Sequence, residues 1–101
     1  MAAVGWLGCE RVQAPAATPS ALGLVHTPEH VRAIAELCAD GGGMIDADTF
    51  VGQASYGAAL HAAGASCEMV RALIKGTASS AFCAIRPSGH HAQRDVAMGF
   101  C

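Results

Sequence analysis

Residues 81–92, AFCAIRPSGHHA, place a continuous apolar run directly before a turn and two adjacent histidines. An apolar run of this length, bounded by turn signals, is typical of a strand buried on both faces, as in a parallel sheet. Two helical patterns precede it, one beginning at Thr27 and one near Ser55. The order of helix, helix and buried strand predicts an α/β fold. Because a lone strand leaves its backbone groups unpaired, we expect this chain to be part of a larger sheet.

The two predicted helices carry clear signals at their ends. Thr27 is a good N-cap and Pro28 suits the first helical position, while the glycines at 41–43 favour a helix end. A Lys-Gly pair at 75–76 ends the second helix with a favourable charge and a cap. Gly64 falls inside that second helix, where we expect either a close-packing point or a break between two helices.

The composition indicates a piece of a larger core. Of the 101 residues, 52% are hydrophobic and 14% are charged, and the net charge is −2. A typical soluble domain has about 25% charged residues, so this balance is unusually apolar for a small domain that is mostly surface. Scattered basic residues and a slightly negative charge argue against direct binding to nucleic acid or to an anionic membrane. No apolar stretch reaches the roughly 18–20 residues of a transmembrane helix, and we expect a cytoplasmic protein, or a nuclear one in a eukaryote.

The cysteines are expected to be free thiols. Their number is odd and they form no C-x-x-C pair, which is unlike a disulfide framework or a cysteine-based zinc site. We therefore expect reduced, mostly buried thiols that pack as small hydrophobic side chains. The five are Cys9, Cys38, Cys67, Cys83 and Cys101.

His90 and His91 are the candidate catalytic residues. Ligand sites of α/β sheets lie at the carboxyl ends of strands, and this pair follows such an end in the predicted fold. Gly89 permits the tight turn that brings both rings into one site. Two close imidazoles influence each other's titration, so one can stay neutral while the other is protonated, which suits hydrolysis. The alternative is a polar dipeptide on the surface with no function.

The segment RPSGHHAQRDVAMGFC, residues 86–101, resembles the tandem-histidine segment of the histone deacetylase superfamily, which includes acetoin utilisation protein-like members. The usual form is R-P-P-G-H-H-A followed by G-F-C. The upstream VHTPEHV, DADTFV and SYGAALHAAGA resemble earlier segments of the same domain, in the same order. The resemblance implies an arginase/deacetylase-like three-layer α/β fold with a central, mostly parallel sheet. The resemblance covers a partial deacetylase-like domain, 25–101, while the Pro- and Ala-rich stretch in residues 1–24 predicts a loop-rich segment.

The resemblance also implies an activity, that of a zinc-dependent amidohydrolase acting on acetyl-lysine or a related acetylamide such as an acetylpolyamine. His90 and His91 match the paired active-site histidines of the family, with His91 as the better candidate for general base and His90 as its electrostatic partner. Gly99 and Phe100 match residues that line the channel for the acyl-lysine side chain.

Asp48 falls where some family members place an acid that accepts hydrogen bonds from the substrate backbone. Asp46 competes for that role, because loop lengths vary in this region. The alternative for both acids is a purely local one, in which an aspartate side chain stabilises its own loop.

Two departures from the family pattern stand out. Ser88 occupies the place of the usual second proline, which leaves Gly89 and both histidines in position. The family's zinc ligands, two aspartates and a histidine, are expected beyond Cys101, and its opening strand before Met1. We therefore expect the chain's own residues to bind no catalytic zinc and the isolated chain to be inactive. The alternatives are a non-catalytic α/β remnant or interaction module, and a histidine-based metal module of unrelated fold.

Overall fold

The computed structural model describes residues 8–101, so the first seven residues of the predicted loop-rich segment lie outside it. Within this range, no helix combines the length and the apolar character that crossing a membrane requires. The helices in chain order are α1 (Pro19–Leu22), α2 (Pro28–Ala39) and α3 (Ser55–Lys75).

The ends of α2 and α3 confirm the boundaries predicted from the sequence. Thr27 Oγ1 accepts a hydrogen bond from the backbone N–H of His30 at 3.2 Å, and Pro28 is the first helical residue. Gly76 ends α3 in the left-handed conformation, with φ 79°. The helix α3 runs without interruption through Gly64.

Gly64 is a close-packing point between α3 and the N-terminal segment. A Cβ atom at this position would overlap the carbonyl oxygen of Pro15 and lie 2.9 Å from the backbone nitrogen of Ala17. The same segment is tied to the helix by a hydrogen bond from Ala17 N–H to Leu60 O at 2.8 Å. Of the two possibilities left open by the sequence, the structure therefore supports close packing.

A small antiparallel sheet lies between α2 and α3 in the chain. Its strands are β1 (Gly43–Met44) and β2 (Phe50–Val51), paired with Gly43 opposite Val51. At Gly42, φ is 93° and a Cβ atom would overlap Val51 O, so the close approach of the two backbones requires glycine there. The loop 45–49 that joins the strands holds both candidate acids.

The buried strand predicted at residues 81–85 does not form within the described chain. Phe82 is 88% exposed, and within the described range no backbone–backbone hydrogen bond involves residues 78–88. A strand forms only where a neighbouring strand pairs with it, and no described segment does so here. The described chain is helix-rich with a short antiparallel pair, and a central parallel sheet is not among its described elements.

The core is small, as the composition predicts for a piece of a larger one. Several large apolar side chains are exposed instead, among them Leu24 and Ile74 at 80% or more. The expectation that the cysteines are mostly buried is wrong: all five are free thiols, but Cys38 alone is buried, Cys9 is exposed and the other three lie between. The remaining buried residues are small, and three of them, Ala62, Gly64 and Ala65, belong to α3.

Replacing Gly64 with alanine is expected to lower the free energy of unfolding by about 1–3 kcal/mol, because the added methyl group overlaps backbone atoms of the N-terminal segment. Gly57→Ala is the matched control, since this position in α3 has no atom within 4 Å of an added Cβ. We expect it to stabilise the chain by up to about 1 kcal/mol through helix propensity. Urea unfolding followed by circular dichroism measures both, and equal effects would contradict the close contact at Gly64.

Candidate active site

His90 and His91 lie side by side on a tight turn. Their ring centroids are 4.3 Å apart with an interplanar angle of 71°, and both residues are exposed. The turn is closed by a hydrogen bond from Ala92 N–H to Gly89 O at 3.1 Å. Gly89 has φ 91°, which glycine adopts without strain. The turn expected from the sequence is therefore present, and it brings both imidazoles to one place.

Gly99 sets the orientation of the His91 ring. Nδ1 of His91 lies 3.3 Å from the Gly99 carbonyl oxygen. Since a carbonyl oxygen only accepts, Nδ1 carries the hydrogen, and Nε2 of the neutral ring keeps its lone pair. Gly99 has φ 59°, and a Cβ atom there would lie 2.7 Å from His91 Nδ1. A larger residue would push the ring out of this position.

The Cys101 thiol adjoins the histidine pair, a neighbour that the sequence analysis missed. Its Sγ accepts a hydrogen bond from Gly89 N–H at 3.2 Å and lies 3.4 Å from Ser88 Oγ. Desolvation opposes ionisation of the thiol, but hydrogen bonds from Ser88, His91 and Gly89 outweigh it and lower the pKa of Cys101 to about 7. No sequence spacing indicates this contact, because only the folded turn brings positions 89 and 101 together.

Thr49 joins two parts of the candidate site. It lies in the loop 45–49, the acid loop, and contacts the turn that carries Gly99 and Phe100. This residue is 3% exposed, and its Oγ1 accepts a hydrogen bond from Phe100 N–H at 3.2 Å. The same hydroxyl lies 3.3 Å from Asp48 Oδ1, to which it donates. Nothing in the sequence marks Thr49 as a site residue, since a single polar residue in a short loop carries no periodic signal.

The two acids take different places in the loop. Asp46 Oδ1 accepts a hydrogen bond from Asp48 N–H at 3.1 Å, which is the local, loop-stabilising arrangement. This hydrogen bond, with others from Thr49, holds the pKa of Asp46 below its ordinary value. Asp48 is exposed and contacts Thr49, so it is connected through one hydroxyl to the backbone of Phe100. All five predicted site residues therefore belong to one connected region.

The described residues do not fit the zinc donor set that the family resemblance implies. Two aspartates and a histidine would be needed, whereas the described side chains grouped closely enough to hold a metal ion are His90, His91 and Cys101. This group contains no carboxylate. Asp46 and Asp48 are hydrogen-bonded within their own loop instead.

Comparison with known proteins gives consistent matches along the chain. A family model described as "Histone deacetylase domain" matches residues 2–101. "Polyamine deacetylase HDAC10" of Homo sapiens is 38% identical over 100 residues, which cover 92% of this chain and 15% of that protein. A "Probable deacetylase" of Archaeoglobus fulgidus is 40% identical over 77 residues, which cover 76% of this chain and 21% of that protein.

A solved structure matches as well. The crystal structure of the HDA15 HD domain is similar with a TM-score of 0.91 and 34% identity, over 99% of this chain and 29% of that chain. The present chain thus spans less than a third of the length of each of these three proteins.

Thr49→Val is expected to lower the free energy of unfolding by about 1–3 kcal/mol, because it leaves the Phe100 N–H without its acceptor while keeping the shape of the side chain. Thr49→Ser keeps the hydroxyl and is the matched control, with a smaller expected loss. Urea unfolding measures both variants. If serine destabilises the chain as much as valine does, the hydroxyl is not what joins the loop to the turn.

Alkylation of Cys101 by iodoacetamide is expected to accelerate with a midpoint near pH 7, because the thiolate is the reactive species. Ser88→Ala removes one hydrogen bond to the sulfur and is expected to move the midpoint to higher pH. Peptide mass spectrometry follows Cys101 separately from the other cysteines. A midpoint that Ser88→Ala leaves unchanged would contradict the assigned contact.

Proposed function

The chain belongs to the histone deacetylase family, and we propose that it supplies the proton-transfer part of a zinc-dependent deacetylase active site. The proposed substrates are acetyl-lysine and acetylpolyamines. The name of the human relative specifies polyamine deacetylation, and the family name specifies histones. Both kinds of substrate present an acetylated primary amine at the end of a flexible carbon chain, so the same channel chemistry serves either.

The observation that carries this proposal is the hydrogen bond from His91 Nδ1 to Gly99 O. It leaves Nε2 as the basic nitrogen of an exposed ring, which is the state that a general base needs in order to take a proton from water. Holding the ring by its other nitrogen also fixes the direction in which Nε2 accepts that proton.

His90 is proposed as the electrostatic partner of this base. Its ring centroid lies 4.3 Å from that of His91, so its imidazole adjoins the proposed base. From this position His90 is proposed to stabilise the negative charge that develops on the acyl oxygen during hydrolysis.

Gly99, Phe100 and Asp48 are proposed to position the substrate. Phe100 is 57% exposed on the turn next to His91, where its ring offers an apolar wall to the carbon chain of the acylated amine. Gly99 has no side chain and so leaves the approach to His91 open. The Asp48 carboxylate accepts a hydrogen bond from the Thr49 hydroxyl, and we propose that it also accepts hydrogen bonds from substrate N–H groups.

Zinc, held by the family's two aspartates and histidine, would supply Lewis-acid chemistry to the complete site. We place its two aspartates and histidine in the part of the family domain that this chain does not contain. We also propose that residues 81–85 become a strand of a central, mostly parallel sheet when neighbouring strands are present, which gives their unpaired backbone groups partners. The exposed apolar side chains of α3 and Phe82 are then covered by the same larger core.

Grafting tests these roles. We expect a HDA15 HD domain whose matching segment is replaced by residues 8–101 to hydrolyse an acetyl-lysine peptide. In this graft His91→Ala is expected to lower kcat by about 10²–10⁴-fold, the usual contribution of a general base. His61→Ala is the matched control, because it removes an exposed histidine of α3 far along the chain from the pair. Its kcat is expected to equal that of the unmodified graft.

The 101-residue chain with added zinc is the negative reference for this experiment and is expected to give no hydrolysis. A graft in which His91→Ala retains full kcat would contradict the role of His91. Zinc-dependent hydrolysis by the 101-residue chain alone would contradict the proposed division of the site.

A further inference from the structure

We propose that His90, His91 and Cys101 form a binding site for a zinc-type divalent cation, built without any carboxylate. One ligand atom from each of the three side chains lies within 4.8 Å of the other two. Two imidazoles and a thiolate are borderline-soft donors that suit Zn²⁺, whereas Mg²⁺ and Ca²⁺ take oxygen ligands. The sequence predicts no catalytic zinc on this chain, because the family's zinc ligands are expected beyond Cys101, and it does not indicate this group.

The distances are close to those of an assembled site. Tetrahedral coordination with Zn–S of about 2.3 Å and Zn–N of about 2.0–2.1 Å requires ligand atoms about 3.3–3.6 Å apart. The present separations, all within 4.8 Å, exceed this by up to about 1.2–1.5 Å. His90 is exposed, so rotation of its ring toward the half-buried sulfur of Cys101 meets little resistance.

Hydrogen bonds already orient two of the three ligands. Sγ of Cys101 accepts from Gly89 N–H at 3.2 Å, and Nδ1 of His91 donates to Gly99 O at 3.3 Å. Bonds of this kind fix the ring orientation and the tautomer of metal-binding histidines, and they are typical of the shell around a metal site. The two hydrogen bonds join residues that are 12 and 8 positions apart in the sequence. They are a separate observation from the short distances among the ligand atoms.

A second pair of neighbouring histidines in the chain has no third metal ligand beside it among the described residues. His26 and His30 have ring centroids 5.4 Å apart, but within the described residues no third cysteine, histidine or acid joins them in a metal-ligating group. The group at His90, His91 and Cys101 has the three ligands that leave one tetrahedral position open.

Binding has a defined chemical balance. The metal forms a bond to the Cys101 sulfur, and the thiol proton passes to the solvent. The cation also occupies a lone pair of each imidazole. If the proposed function of His91 is correct, a bound cation blocks its proton transfer; this consequence rests on that function, while the binding itself does not.

Titration of the reduced 101-residue chain with Co²⁺ tests the site. We expect one equivalent to bind with the visible absorption of tetrahedral Co²⁺ and with a thiolate-to-metal charge-transfer band, and Zn²⁺ to displace it. Cys101→Ser is expected to abolish the charge-transfer band. His90→Ala and His91→Ala are each expected to weaken Zn²⁺ binding by more than about tenfold.

Cys83→Ser and His61→Ala are the matched controls, and we expect both to bind as the unmodified chain does. A charge-transfer band that survives Cys101→Ser, or binding that the two histidine variants leave unchanged, would overturn the proposal. A second measurement needs no variant: Zn²⁺ is expected to slow alkylation of Cys101 in the unmodified chain, and an unchanged rate would also overturn it.

These readouts involve no catalysis, so they separate the two proposals. Loss of the metal site leaves the effect of His91→Ala on grafted activity standing. Failure of the graft leaves the binding result standing.

Discussion

The hydrogen bond from Phe100 N–H to Thr49 Oγ1 is the contact on which the candidate site depends. It joins residues 51 positions apart, and its acceptor is a side chain only 3% exposed. The Thr49 hydroxyl both donates and accepts a hydrogen bond. Displacing such a buried hydroxyl is costly, because its former partners lose a hydrogen bond that water does not replace. The acid loop and the turn at residues 98–101 are therefore held together as one unit.

The turn at residues 98–101 in turn contacts His91 and Gly89. Hydrogen bonds between Met98 and Cys101, at 2.9 and 3.0 Å, close the turn. From it the Gly99 carbonyl reaches His91 Nδ1, and the Cys101 sulfur reaches the Gly89 N–H. The tautomer of His91 and the environment of the thiol thus both depend on where Thr49 places the turn. The proposed proton transfer and the proposed cation site use the same scaffold for different chemistry.

The sequence predicts the features that depend on neighbouring residues. The cap at Thr27, the left-handed Gly76 and the turn at Gly89 are local, and the structure has all three. The strand at 81–85 is different, because a strand forms only beside a second segment that pairs with it. The local sequence does not reveal whether that second segment is present. The same reason hides Thr49 and Cys101, whose contacts join distant positions. The division of the chain at residue 24 stays a prediction, and the family match begins at residue 2.

The tautomer of His91 tests the central claim most directly. Nitrogen-15 NMR of the 101-residue chain distinguishes a protonated from an unprotonated ring nitrogen at a pH where the imidazole is neutral. The account predicts hydrogen on Nδ1 and a lone pair on Nε2, because Nδ1 faces the Gly99 carbonyl oxygen. A His91 ring with hydrogen mainly on Nε2 would contradict it, since the nitrogen assigned as the base would then have no lone pair to accept a proton.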